Sequence, residues 1–337
     1  MNIREVAKVA GVSTATVSRV INSTAPVDVA TERRVRKAIE RTGYYPNRHA
    51  RMLSSGKSNT YGLIISDIAN PFFPELVKSF ERLAIEHDHE VLIANTDYHP
   101  ERMEHCVRRM LEHNVAGVAI MTSEMDPTLI QILSRRGIPI VFLDTGNIGR
   151  LISNISINYG HGIGMAIDHL ITLKHHRIAF IQGPIELKSA AIRREAYIAS
   201  LKRNGIEVSS NFVKTGNHGI DGGQRAMEEL LALKPRPTAV MCSNDLTAIG
   251  ALNAAQVAGL LVPHDFSVVG FDDIDLSSLT YPPLTTIRVS RVDIATRAFT
   301  SLYGAAHGGI ERGINHTIDT ELIIRKSTGN CPAARGR

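Results

Sequence analysis

Three groups of residues in this chain have types and spacings that could do chemistry. Near the N-terminus, Thr14, Ala15 and Arg19 fall within one short helix-forming run. Small side chains permit close approach to base edges in a DNA major groove, and an arginine can fork onto a guanine. Ser13, Thr16 and the backbone N–H groups at the start of that run suit a phosphate, which positions without specifying. Farther on, a series of apolar runs each end in polar residues: Ser66-Asp67, Asn95-Thr96-Asp97, Thr122-Ser123, Asp144-Thr145, Gln182-Gly183, Ser243-Asn244-Asp245 and Asp272-Asp273. Ligands bind outside the carboxyl ends of parallel strands, so two such sheets facing one another would form a cleft for a hydrogen-bond-rich small molecule. The third group is histidine: His87 with His89, and His175 with His176. No Cys, Asp or Glu joins them at ligand spacing, so they read as solvated loop residues, and no metal or other cofactor is expected.

Enzyme motifs are lacking. Gly160-His161-Gly162-Ile163-Gly164 departs from the dinucleotide fingerprint and reads as the start of a helix; neither a phosphate-binding P-loop nor a G-x-S-x-G elbow occurs. An α/β enzyme with an accessory DNA-binding head stays open as an alternative.

The elements that must position the first group are three short helices. Asn2 and Glu5 have the spacing of a capping box, and Ile3, Val6, Val9 and Ala10 then follow helical periodicity. Gly11 breaks that helix and Ser13 can cap the next, whose buried stripe is Val17, Val20 and Ile21. Thr14, Ala15, Ser18 and Arg19 are left on its other faces. Asp28 caps a third helix, with Val35, Ala38 and Ile39 inward and Arg33, Arg34, Arg36 and Lys37 outward. Two helices on a tight glycine turn, closed by a third, make a helix-turn-helix.

Charge separates this head from the rest. The first 60 residues carry 11 Lys and Arg against 4 Asp and Glu, whereas the remainder of the 337-residue chain carries 27 against 29. A basic excess confined to the head implies a polyanionic partner for that part alone. Between head and body, Tyr45-Pro46-Asn47 can start a short helix and Gly56 can end it; by composition the segment is equally a solvated linker. No apolar run approaches the ~20 residues that span a bilayer, so no membrane partner is expected. Cys106, Cys242 and Cys331 are scattered and odd in number, and the N-terminus lacks the apolar stretch of a secretory signal. Both point to a cytoplasmic protein with reduced thiols.

Beyond Asn59 the period changes. Leu63–Ile65, Val91–Ile93, Val118–Ile120 and Ile140–Leu143 are continuous apolar runs typical of buried parallel strands, separated by amphipathic stretches. The alternation resumes at Ile178–Ile181, Val240–Cys242 and Val268–Phe271, giving two successive doubly wound α/β units.

The run Ile3-Arg4-Glu5-Val6-Ala7-Lys8-Val9-Ala10-Gly11-Val12-Ser13, with Thr16-Val17-Ser18-Arg19-Val20-Ile21-Asn22, resembles the head of the lactose-repressor/galactose-repressor (LacI/GalR) transcription factors. The resemblance continues through Gly43–Asn47 and Ala50–Leu53, and then through the body to about Ser327. It implies a helix-turn-helix domain over 1–45, a hinge helix and linker over 46–58, and a periplasmic-binding-protein-like body over 59–328. Within the body it implies one subdomain at 59–157 plus 290–317, a second at 158–289 plus 318–328, and a flexible tail at 329–337. DNA contacts are implied at Ser13, Thr14, Ala15, Thr16, Ser18, Arg19 and Asn22, and in the hinge at Asn47, Ala50, Arg51 and Leu53. Leu53 matches the family's leucine wedge into the minor groove, which unstacks a base step.

In the body, Phe72 and Phe73 match the aromatic first-loop motif of ribose-type members, and Asp144 the acidic residue ending the fourth strand. Ser189, Arg193, Asn244, Phe271 and Asp272 fall at further effector positions. One departure matters: sugar-binding members often carry glutamine where this chain has Val289, which removes an amide from the cleft. The resemblance therefore implies a homodimeric repressor of a palindromic operator that responds to a sugar or sugar derivative, with a purine or nucleoside as the alternative. The polar tail has no heptads, so dimers rather than tetramers are expected.

Overall fold

The computed structural model describes residues 2–22, 25–45, 58–122, 127–146 and 148–332. The chain divides into two compact units, Met1–Ser58 and Asn59–Arg337.

In the first unit, helix α1 (Ile3–Ala10) opens on a complete capping box: the Arg4 and Glu5 N–H groups donate to Asn2 Oδ1, and Asn2 N–H donates to Glu5 Oε2. Gly11 ends it in the left-handed region at φ 66°, which only glycine adopts without strain. Ser13 Oγ accepts from Thr16 N–H at 3.1 Å and starts α2 (Thr14–Asn22). Asp28 caps α3 (Val29–Thr42) through the Ala30 and Thr31 N–H groups. The core is Val6, Ala7, Ala10, Val17, Val20, Val35 and Ala38. Val9 was expected in that core but is exposed. The buried stripe of α1 runs through 3, 6, 7 and 10, and position 9 falls outside its edge. The hinge helix expected at 46–58 lies, but for Ser58, outside the described residues.

The second unit contains two six-stranded sheets. The first has the order β11-β5-β4-β3-β1-β2 and is parallel throughout. Its strands are β1 (Thr60–Ile65), β2 (Glu90–Asn95), β3 (Gly117–Met121), β4 (Ile140–Leu143), β5 (Ile152–Ile157) and β11 (Asn315–Ile318). Helices α4 (Phe72–Glu86), α5 (Pro100–Glu112), α6 (Pro127–Arg135) and α11 (Arg291–Ala306) accompany it. The second sheet has the order β12-β10-β9-β8-β6-β7, with only β12 antiparallel. It comprises β6 (Ile178–Gln182), β7 (Val213–Thr215), β8 (Ala239–Cys242), β9 (Ser267–Asp272), β10 (Thr285–Val289) and β12 (Thr320–Ile323). Around it lie α7 (Tyr159–Thr172), α8 (Lys188–Arg203), α9 (Ile220–Leu231) and α10 (Asp245–Val257). The chain passes between the two sheets three times, after β5, after β10 and after β11.

Central strands are buried on both faces, as their uninterrupted apolar runs require. Phe80, Phe142, Phe180 and Phe271 are each fully enclosed, contributing about 2–3 kcal/mol apiece. Strand β5, reading Ile-Ser-Asn-Ile-Ser-Ile, shows no such run, because it buries a polar network. Asn154 accepts from the Thr145 and Gly146 N–H groups and donates to Ser156 and Asn315.

Two expectations are corrected here. His175 is fully buried rather than solvated. Its Nδ1 pairs with Thr238 Oγ1 at 2.9 Å, and its Nε2 lies 2.9 Å from the Gly329 carbonyl and 3.0 Å from Ser267 Oγ. Nor is the start of the tail loose: Gly329 N–H donates to Ser267 Oγ and Cys331 N–H to the Leu173 carbonyl. His87, which is exposed as expected, and the half-buried His89 make ring contacts with Tyr61, Phe299 and Tyr303. Cys106, Cys242 and Cys331 are free thiols, and no helix among the described residues is long and apolar enough to cross a membrane.

Candidate functional site

On α2 the side chains that point away from the head's core are those expected at DNA. Ser13, Thr14, Ala15 and Arg19 are exposed, and Thr16 and Ser18 are half-buried. Ser13 and Thr16 share a hydroxyl hydrogen bond of 3.0 Å at the helix start. The side chain of Asn22, and Asn47, Ala50, Arg51 and Leu53, lie outside the described residues.

In the body, the strand ends of both sheets converge on a cleft of about 60 Å³. The first half contributes Ser66, Asn70, Phe72, Phe73, Tyr98, Met121, Thr122, Leu143, Asp144 and Ile157. The second contributes Tyr159, Leu187, Ser189, Arg193, His218, Asn244 and Asp272. Of the eight expected effector residues, seven line this cleft. Phe271 does not: it is fully buried and lies beneath the Arg193 guanidinium, whose carbon is 4.6 Å from its ring centre. Alternation along β9 turns Phe271 to the face opposite its neighbour.

Local structure decides what each polar residue can offer a ligand. Asn70 Oδ1 accepts from Phe72 N–H at 3.1 Å, fixing the turn that stands Phe72 and Phe73 edge to face at the mouth of α4. Asp144 spends both oxygens internally, one on Ile157 N–H at 2.8 Å and one on the Tyr159 hydroxyl at 2.7 Å. Burial raises its carboxyl, and those two donors pull in the opposite direction. Its geometry makes it an orienting group for Tyr159. Asn244 is similarly engaged: Oδ1 caps α10 on Thr247 N–H, and Nδ2 donates to the His218 carbonyl at 2.8 Å.

Two charged groups keep capacity free. Arg193 lies over the rings of both Tyr159 and Phe271 and donates through Nη1 to the Ser243 carbonyl, but its buried Nε has no partner among the described residues. The Asp272 carboxylate accepts no hydrogen bond from the described residues, although Asp272 is only 5 % exposed. Burial pushes it up to about 6, with Arg193 and Arg291 opposing. A buried donor and a buried carboxylate without partners make a site for a molecule that carries both acceptors and donors.

Sequence reasoning missed Tyr98, Tyr159, Leu187 and His218. His218 holds a left-handed backbone at φ 63°, in the run Gly216-Asn217-His218-Gly219. Its ring occupies the place of a Cβ at Gly183, which would lie 2.2 Å from ring atoms. Burial, with the Arg193 charge adding, lowers it to about 3, so the ring is neutral. Tyr98, at φ 58°, faces it from the other half with ring centres 6.0 Å apart. Other strand-end residues turn out to be structural. Asp273 pairs with Arg288 and Arg325, and Asp245 accepts from Thr286 and Ile274. Val289 is fully buried in the core, so an amide is indeed missing at that position.

Residues 2–47 match the family described as bacterial regulatory proteins, lacI family, and residues 167–328 match a periplasmic binding protein-like domain. The chain is 32% identical over 326 residues to the HTH-type transcriptional repressor PurR of Photobacterium profundum, covering 96% of this chain and 98% of that one. The chain belongs to the LacI family. It is therefore a DNA-binding transcriptional regulator with a small-molecule-binding body. Another LacI relative is the ribose operon repressor of Escherichia coli, 35% identical over 297 residues, with 88% of this chain and 90% of that one covered. Among solved LacI structures, the Lac repressor dimer bound to operator and the anti-inducer ONPF superposes with a TM-score of 0.87 at 29% identity. That match covers 98% of this chain and 99% of the other.

Proposed function

We propose that this regulator is a cytoplasmic, homodimeric repressor, not an enzyme, whose effector is an uncharged, hydroxyl-rich molecule such as a sugar or sugar derivative. The carrying observation is two groups that line the cleft, the Asp272 carboxylate and the Arg193 Nε, both buried and both without a hydrogen-bond partner among the described residues. Hydroxyl groups satisfy both at once, donating to the carboxylate and accepting from the guanidinium. A phosphorylated effector would ask for more cations than the cleft offers, since Lys188 already donates to the Thr145 carbonyl. A second reading, a nucleoside or purine, is favoured by the facing rings of Tyr98 and His218, between which a planar heterocycle would stack once the cleft opened slightly. A thermal-shift panel of sugars, nucleosides and purines separates the two readings, and a panel with no stabilising member would remove both.

In this reading Thr14, Ala15 and Arg19 meet base edges, Ser13, Thr16 and Ser18 sit near phosphate, and Asn22, Asn47, Ala50, Arg51 and Leu53 extend the contact. Arg19→Ala is expected to cost about 1–3 kcal/mol against the specific operator and much less against random DNA. Footprinting and gel shift on the DNA upstream of the gene test this; equal losses on both DNAs would reduce Arg19 to a phosphate contact. The segment after β9 supports the dimer, because Leu276, Leu279 and Tyr281 stand exposed in one short stretch. Tyr281→Asp is expected to shift sedimentation from dimer to monomer at micromolar protein, and an unchanged profile would place the contact elsewhere.

A further inference from the structure

Arg291, the first residue of α11, stands where the chain returns from the second sheet to the first. It is 8 % exposed and none of its contacts was expected from the sequence. On one side its guanidinium grips Glu75 of α4, with Nε and Nη2 at 2.7 and 2.6 Å from Oε2. On the other, Nη1 donates to the carbonyls of Asp272 at 2.6 Å and Asp273 at 3.0 Å, where β9 ends. The same group lies 6.0 Å from the centre of the Phe72 ring.

These partners belong to opposite walls of the cleft. Glu75 lies in the first turn of α4, two residues after Phe73, which with Phe72 lines the first wall. Asp272 and Asp273 form the turn that presents the free carboxylate on the second wall. That turn is strained, because two successive non-glycine residues have φ values of 115° and 57°. Such backbone persists only where its surroundings over-determine it. Arg288 and Arg325 hold the Asp273 side chain within the second half. Arg291 holds the turn's carbonyls and anchors them to the first half. A guanidinium serves both partners because its donors form a rigid planar fork; a lysine offers one point charge.

We propose that Arg291 is a positioning residue of the effector site: it aims the Asp272 carboxylate and sets the Phe72 wall in register with it, Glu75 being its orienting partner. The proposal rests on the reading of the cleft as the effector site. Its test needs no effector, so the two can fail separately.

The test is amide hydrogen exchange by mass spectrometry on the full-length, ligand-free protein. Arg291→Met is expected to speed exchange about tenfold in both 72–77 and 270–277, as the loss of charged hydrogen bonds on both walls implies. Segments 117–121 and 239–242, in the sheet centres, are expected to exchange as in the wild type. Glu75→Gln is expected to affect 72–77 alone. Arg291→Lys keeps the charge and guards against a variant that does not fold; it is expected to recover wild-type protection in at most one of the two segments. Wild-type exchange in Arg291→Met, a rise confined to one segment, or a uniform rise across the body would each overturn the proposal. So would full recovery of both segments by lysine.

Discussion

Affinity for a hydroxylated effector is expected to fall about tenfold for each pH unit below about 6 and to be flat above it. The sign follows from Asp272. Its ordinary value is 3.8, and burial in the cleft raises it to about 6, so the ligand-free folded protein holds this proton more tightly than the unfolded chain does. Ligand hydroxyls donate to the ionised carboxylate and favour it, so below about 6 each binding event must first expel a proton. Without ligand the linkage is reversed in consequence: the stability this group contributes is present below 3.8 and lost as pH rises through about 6. Asp272→Asn is expected to remove the pH dependence and to weaken binding by about 2–3 kcal/mol, roughly a hundredfold, because an amide replaces an acceptor-only charge. Asp144 is also raised, but its two oxygens are occupied by Tyr159 and Ile157; any slope that survives in the Asp272→Asn variant belongs to it. His218 is held neutral near 3 and contributes nothing between pH 5 and 8. Calorimetry over that range, with the best-stabilising sugar of the panel as titrant, decides the matter. A flat profile, or wild-type affinity in the asparagine variant, would show that Asp272 does not touch the ligand.

The head was legible almost residue by residue, because its signals are local. Asn2, Ser13 and Asp28 cap the helices they precede, and Gly11 and Gly43 close them. Only Val9 misled, by being apolar one step outside the stripe. The buried central strands were equally plain, since parallel strands covered on both faces leave continuous apolar runs. Strands β5 and β11 escaped for the opposite reason: Asn154 and Asn315 pair with one another across the sheet, and neither reads as a strand residue alone. The cleft was visible as a ring of strand-end polar residues, but not the division of labour within it. A sequence does not show whether a polar side chain is spent on backbone, as Asn244 and Asp144 are, or kept free, as Asp272 is. Nor does it announce a non-glycine residue in left-handed backbone, which is how Tyr98 and His218 come to face each other. His175 looked solvated because the residues that bury it, Thr238, Ser267 and Gly329, are distant in sequence.

Gly250→Ala is expected to cost about 3–5 kcal/mol. Helices α9 and α10 cross with their backbones in contact, and the contact is made through glycines. A Cβ at Gly250 would lie 2.0 Å from the Ile220 carbonyl oxygen and 2.7 Å from Gln224 N, and one at Gly223 would lie 2.1 Å from the Thr247 carbonyl oxygen. These obstacles are main chain, so no rotamer change relieves them, and one whole helix must move. The same displacement reaches the cleft, because the loop into α9 carries His218 and the N-cap of α10 is Asn244, tied together by their hydrogen bond. Gly160→Ala is the control: Gly160 also lies in a helix, but nothing stands within 4 Å of its added Cβ. There alanine is expected to be neutral or to stabilise by up to about 1 kcal/mol, since glycine is the poorer helix former. Urea unfolding of both variants measures the contrast. If Gly250→Ala lies within about 1 kcal/mol of the wild type, the two helices are not in backbone contact, and the placement of His218 over Gly183 loses its support.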